Sequence, residues 1–460
     1  MTAHILHKPS QQRALMTLAW PAIIENLSIT LVIFIDSAMV GSLGALATAA
    51  VGVNASPGWL MNGLLMALGV GGSALIARMT GADDREGISS VARHTMVCAL
   101  FISVLLMLFA LICAPLVPRL MGADPAVHPE AVAYLRLVGL AFVPHFCGMA
   151  ASALLRGAGD TRSPMRAALL ANSMNVVGNF LLIFPARQVT LFGSNFMMPG
   201  AGLGVRGAAI ATAIATGISG FYLLSLLYAK KGGLGLRREP GFRLQRKMFS
   251  RILRIAVPAA LERVSINLGQ IVFAGMVARL GVSVLAAHHL SIGIESMGYM
   301  PGYGFAVAAA TLVGQRLGAA QPREARELGL RAISTGVLTM ASIGVIMFIF
   351  ADALIAFFTP DPAVRLIGAG LIRICAFEQP FSALSIIAPG ALRGAGDTKA
   401  PFYISFASMW GVRLVFAWLL GTVFKWGVQG IWIAMVLDLA VRGFLLLLRF
   451  NRGAWQYARV

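Results

Sequence analysis

Six carboxylates stand inside apolar stretches where charge is expensive: Glu25, Asp36, Glu262, Glu295, Glu378 and Asp438, out of 18 acidic residues. A carboxylate at the centre of a bilayer costs roughly 2.5–3.5 kcal/mol on insertion scales, so each is a candidate for ion or proton chemistry. Asp36 leads. It follows Glu25 by eleven positions, and eleven helical steps of about 100° return the side chain to nearly the same face, roughly 16 Å further on. In "NSMNVVGNF", Asn175 and Asn179 lie one turn apart on one helical face, with Asn172 on the adjoining face. A carboxylate with amide oxygens suits a hard cation, and a carboxylate alone suits a proton. Packing of a buried Asp against asparagines is the plainer account of the same residues.

The other acids have local partners in view. Glu262 precedes Arg263 and Glu378 follows Arg373 by five positions, so ion pairing and coupling are equally open for both. Glu295 lies seven residues after His288 on one face, where mutual satisfaction is expected rather than a proton shuttle. Asp438 and Arg442, at i and i+4, are expected to form a structural pair.

The elements that must position these groups follow from composition. The chain of 460 residues is 58% hydrophobic and 12% charged, with a mean hydropathy of +0.80. Soluble domains carry about 25% charged residues. "VCALFISVLLMLFALICAPLV" exceeds the ~18 apolar residues that mark a membrane span. The expected fold is an all-α, multi-pass membrane protein. Its spans fall near 15–40, 52–77, 91–116, 131–154, 165–185 and 205–229, then 252–278, 283–313, 328–354, 366–391, 401–421 and 428–448. No cleavable leader is expected at the amino end. Cys98, Cys113, Cys147 and Cys375 lie in apolar segments without CxxC spacing, so disulfides and structural zinc are not expected.

The net charge of +19 does not call for nucleic acid. With the amino terminus inside, 26 of 37 Lys and Arg fall in inner segments and six in outer loops. The positive-inside rule then expects both termini in the cytoplasm. It also makes the basic stretch "KKGGLGLRREPGFRLQRK" a cytoplasmic linker. The expected organisation is an N-lobe over 1–229, a linker over 230–251 and a C-lobe over 252–460.

The lobes are copies. "LRGAGDTRSP" (155–164) returns as "LRGAGDTKAP" (392–401), 237 positions on. At the same offset "PAIIE" returns as "PAALE", "DPAV" recurs, and Gly81 falls on Gly318. Six spans per half is an even number, so the repeats are parallel and related by a pseudo-twofold axis along the membrane normal. In the repeated phrase the glycines permit tight turns, and Asp160 and Asp397 are expected to cap the helices that follow. Arg156 and Arg393 are expected to hold helix ends or lipid phosphates. The Lys and Ser/Thr of a P-loop are missing. Glu25 recurs as Glu262, but Asp36 recurs as Phe273, so only the first half keeps the deep Asp.

A twelve-span chain with a doubled LRGxGDT phrase, "IDSAMVGSLGALATAAVG" in span one and "GFAVAAATLVGQRLGA" closing span eight resembles the multidrug and toxic compound extrusion family. The resemblance implies an antiporter that expels cationic amphiphilic molecules in exchange for Na⁺ or H⁺. It implies a coupling site at Asp36, Asn175, Asn179 and Thr212, a bend of span one at Pro21, and a monomer in the cell (inner) membrane. Glu25, Glu262, Glu295 and Glu378 remain candidates for substrate contact or secondary coupling. At the second-lobe positions that NorM-type members use, this chain has Ile266 and Ser382, which favours a branch nearer the DinF-like members. No cofactor is implied beyond the coupling ion. The alternative is a flippase for lipid-linked oligosaccharide, for which a cavity rich in Arg would be expected. An enzyme is disfavoured, since no HExxH, His cluster or nucleophile motif is present.

Overall fold

The computed structural model describes residues 11–191, 194–229 and 244–458, with Leu234 and Leu236 between them. The first lobe contains α1 (Gln11–Gly41), α2 (Ala45–Gly81) and α3 (Arg85–Ile112). Next comes α4, whose limbs Pro125–Gly139 and Phe142–Gly157 meet at 53°. It is completed by α5 (Arg162–Leu182) and α6 (Gly204–Tyr228). The second lobe contains α7 (Arg246–Ala278), α8 (Val282–Gly318), α9 (Pro322–Ile349), α10 (Pro362–Gly394), α11 (Lys399–Val423) and α12 (Gly427–Asn451). These twelve helices match the twelve expected spans, in two bundles of six.

Eight of the helices are long and apolar enough to cross a membrane on length and composition, and α4 makes a ninth when its limbs count as one span. The other three are α5, α7 and α8. They have the length, about 31 Å or more at 1.5 Å per residue, but their apolarity is diluted by the Asn, Arg, Glu and His residues that matter below. An antiparallel hairpin, β1 (Pro185–Leu191) with β2 (Ser194–Ala201), joins α5 to α6. It was not expected in an otherwise helical chain. The Arg187 guanidinium lies 4.1 Å from the Phe184 ring centroid, which ties the hairpin to the end of α5.

The duplication is visible in the backbone. Gly44 and Gly281 take φ of 103° and 116°, and Gly159 and Gly396 take 96° and 86°, each pair 237 positions apart. At the RGAGD turns the left-handed glycine lets the next amide reach back: Asp160 N donates to Leu155 O, and Asp397 N to Leu392 O, both at 2.9 Å.

The two lobes are laced together by their first helices. Leu15 and Leu18 of α1 sit in the core of the second lobe beside Phe305 and Ile387. Their repeat partners on α7, Ile252 and Ile255, sit in the core of the first lobe beside Leu75 and Leu154. At the carboxyl ends of α2 and α8 the backbones touch. A Cβ on Gly81 would lie 1.8 Å from the Gln315 carbonyl oxygen, and one on Gly318 would lie 1.9 Å from that of Arg78. Lipid chains are as apolar as the helices, so this contact is held by close packing of small residues rather than by exclusion of water.

Candidate functional site

Asp36 sits deep in α1, half-buried, facing α5. Asn179 Nδ2 donates to Asp36 Oδ1 at 2.6 Å. The Asn175 amide satisfies its surroundings with its nitrogen toward Asp36, 2.6 Å from Oδ1 and 3.2 Å from Oδ2, and its oxygen accepting from the Thr212 hydroxyl at 3.0 Å. Both asparagines are buried. The spacing of one turn on α5 brings both amides onto the same carboxylate, and Thr212 of α6 steadies the nearer one. Tyr134 of α4 packs against the cluster that holds Met39 and Val40, just beyond Asp36 on α1. Tyr134 was missed because nothing in its local sequence points across the bundle.

Two amide donors satisfy an ionised carboxylate well, since hydrogen bonds to a charged group are the stronger kind. They suit a protonated one less well. Protonation removes the charge that strengthens both bonds, and a proton on Oδ2 faces the Asn175 nitrogen 3.2 Å away while Oδ1 goes on accepting. Cation capture neutralises the same charge. Asn179 Oδ1 is buried without a partner among the described residues, so it has an accepting oxygen to offer if the amides turn. The residue set fits either ion, and each binding event would disturb the α1–α5 contact.

α1 runs as one helix through Pro21, so this structure holds it uninterrupted. Lower on the same helix, Glu25 is buried, and Arg156 Nη1 donates to its Oε1 at 2.8 Å. The second lobe repeats this pair: Arg393 Nη2 donates to Glu262 Oε2 at 2.8 Å, and Ser405 Oγ donates to Glu262 Oε1 at 2.9 Å. The partner of Glu262 is therefore Arg393, not its neighbour Arg263. Asp160 accepts from the amides of Arg162 and Ser163 at 3.1 and 2.9 Å, capping α5 as expected. Asp397 accepts from Ala400 N at 3.3 Å and from Arg449 Nη2 at 2.8 Å.

Asp36 has no counterpart in the second lobe. Phe273 stands in its place, buried, with the Arg413 guanidinium 5.6 Å from its ring centroid. The acids of this lobe cluster elsewhere. Carboxylate oxygens of Glu295 and Glu378 and the Cys375 sulfur lie within 4.8 Å of one another, all buried. Ser382 Oγ donates to Glu378 Oε1 at 2.8 Å. Arg373 does not serve Glu378; it pairs with Asp352 at 2.6 Å, because five helical positions place it on another face. His288 does not serve Glu295 either. Its Nδ1 accepts from Trp432 Nε1 at 3.1 Å. The Asp438–Arg442 pair is present at 2.6 Å, and Arg413 Nε adds a second cation at 2.7 Å. Arg413 lies in a π-helical turn, Met409–Arg413, which the apolar pattern of α11 does not reveal.

The model of the MatE family matches this chain twice, over residues 21–181 and 258–419. The two matches begin 237 positions apart, the offset of the repeat. The chain belongs to the MatE family. This MatE protein is 31% identical over 452 residues to the probable multidrug resistance protein NorM of Thermotoga maritima, covering 97% of this chain and 94% of that one. It is 29% identical to the uncharacterized transporter YisQ of Bacillus subtilis, covering 98% and 96%. A solved structure described as the outward-facing conformation of a multidrug resistance MATE family transporter superposes with a TM-score of 0.89, at 22% identity over 98% and 97% of the two chains. A transporter of Pyrococcus furiosus described as having a binding pocket of reversed polarity superposes at 0.87, with 23% identity and 98% of each chain. The family members are transporters, and the MatE protein is a multi-pass membrane transporter.

Proposed function

We propose that this MatE protein exports cationic amphiphilic small molecules in exchange for H⁺ or Na⁺ by alternating access, and that Asp36 is the coupling group. The observation that carries the reading is the clamp of Asn175 and Asn179 on one carboxylate that the duplication did not copy. With Asp36 ionised, α1 is held to α5 by two charge-assisted hydrogen bonds. When a proton or cation takes the carboxylate, the charge that strengthens those bonds is neutralised and the hold of α5 on α1 weakens. Loss of the ion restores the clamp. Each ligand drives the cycle through its different affinity for the two states.

The rest of the machine fits that cycle. The lobes are parallel copies that meet in backbone contact at the Gly81 and Gly318 end, so opening that end requires one bundle to rock against the other. From the distribution of Lys and Arg we place both termini in the cytoplasm, and from the family resemblance we take a monomer in the cell (inner) membrane. In this reading Glu25 and Glu262 brace their helices through Arg156 and Arg393. The Glu295–Glu378 pair is a candidate for a second exchange site.

Drug-triggered collapse of an imposed pH gradient in proteoliposomes tests the function. Collapse in K⁺ buffer alone establishes proton antiport, and activity that requires Na⁺ establishes cation antiport. No response to any organic cation, with or without Na⁺, would contradict export of cations.

A further inference from the structure

The amino ends of α7 and α11 flank an open groove of about 520 Å³. Arg246, Arg254 and Lys399 line it together with exposed Leu253 and Val257. Among the described residues none of the three cations has a carboxylate partner. Arg246 is the first residue of α7 and Lys399 the first of α11, so two helix amino ends add their positive dipoles at the same place.

The repeat supplies an internal comparison. At the offset of 237, Val257 corresponds to Trp20, Lys399 to Arg162 and Arg254 to Thr17. In the first lobe the Arg162 guanidinium lies over the Trp20 ring, 6.0 Å from its centroid. A ring fills the position and its cation is engaged. In the second lobe the ring is a valine, Lys399 has no carboxylate partner among the described residues, and an arginine stands at 254 while the first lobe carries one at Arg13, the counterpart of Ser250. In one copy a ring covers the cation, and in the other the cation borders an open groove.

We propose that this groove binds a phospholipid with a net negative headgroup. The phosphate lies among Arg246, Arg254 and Lys399, and the acyl chain follows Leu253 and Val257 along α7. Charge complementarity fixes the headgroup. The apolar wall on a membrane-spanning helix favours a lipid over a free anion. The groove lies on the side that the distribution of Lys and Arg assigns to the cytoplasm, where anionic lipid attracts basic clusters.

Native mass spectrometry of the full chain in detergent tests this, with phosphatidylglycerol and phosphatidylcholine titrated separately. The expected result is preferential retention of phosphatidylglycerol by the wild type. Arg254→Gln with Lys399→Gln should weaken retention about thirtyfold, for two cations near an anionic surface at about tenfold per 1.4 kcal/mol. Val257→Trp, which restores the ring that engages the cation in the first lobe, should also lower retention, whereas Arg162→Gln should not. Equal retention of both lipids by the wild type would overturn the proposal. So would undiminished preference in both groove variants, or displacement of the lipid by millimolar inorganic phosphate, which would mark a free-anion site.

Discussion

Glu25 and Arg156 are 131 residues apart and joined at 2.8 Å, and the pair recurs between Glu262 and Arg393 at the same separation and the same distance. The arginine of the repeated RGAGD phrase thus reaches the glutamate of the repeated PAxxE phrase in both lobes. The polar phrase persists in two copies because its arginine neutralises a carboxylate on the first helix of its own lobe. That contact ties the helix carrying the proline to the last turn of α4 or α10.

Breaking these pairs leaves a buried carboxylate without its cation. Arg393→Gln should destabilise the protein by about 2–3 kcal/mol, toward the low end for a buried pair because Arg393 is partly exposed. Arg156→Gln should cost less, since Glu25 is the less buried acid, its side chain 10% exposed against 4% for Glu262. The double variant Glu262→Gln with Arg393→Gln should recover part of the loss. Thermal unfolding in detergent provides the comparison.

The hydrogen-bond geometry ranks the first-lobe residues. Exchange should fall most for Asp36→Asn, then for Asn179→Ala and Asn175→Ala, and least for Thr212→Val, which touches Asp36 only through Asn175. Initial rates of drug-triggered proton movement at matched expression check the order. Thr212→Val as damaging as Asn179→Ala would place Thr212 on the ion itself.

Gly81 and Gly318 hold one end of the molecule shut. A methyl on either would collide with a backbone oxygen under 2 Å away, which no side-chain rearrangement relieves. Gly318→Ala should therefore shift the population toward states open at that end. Spin labels at the repeat-related positions Glu86 and Arg323, in a background lacking the four native cysteines, should move apart in double electron–electron resonance. An unchanged distance distribution between these starts of α3 and α9 would contradict the predicted opening.

Capping provides a smaller effect with a built-in asymmetry. Removing an N-cap acceptor costs about 0.5–2 kcal/mol. Asp397→Ala should cost more than Asp160→Ala, because Asp397 also accepts two hydrogen bonds from Arg449 of α12. Paired thermal-stability measurements decide it.

The fold was legible because apolar runs and the 237-residue offset are properties of the chain itself. The Asp36 site was legible for a related reason: Asn175 and Asn179 are one turn apart, and helical spacing alone puts them on one face. Long-range ion pairs were not. Glu262 has Arg263 beside it and Glu378 has Arg373 nearby, and neither neighbour is used. An adjacent residue points off the shared face, and so does one five positions away. Glu295 was read against His288 on its own helix, whereas its acidic neighbour Glu378 comes from α10, an approach set by bundle packing. The β1–β2 hairpin was hidden because its strands, seven and eight residues long, lie between two apolar spans and read as part of their connection.

The most direct test of the account is accumulation of a fluorescent organic cation in everted membrane vesicles energised with a pH gradient, comparing the wild type with Asp36→Asn. The account predicts gradient-dependent accumulation in the wild type, with Na⁺ present if Na⁺ is the coupling ion. It predicts loss to background in the variant, while the variant keeps its folded yield and its binding of the same cation. Accumulation by Asp36→Asn at the wild-type rate would contradict the assignment of coupling to the first lobe.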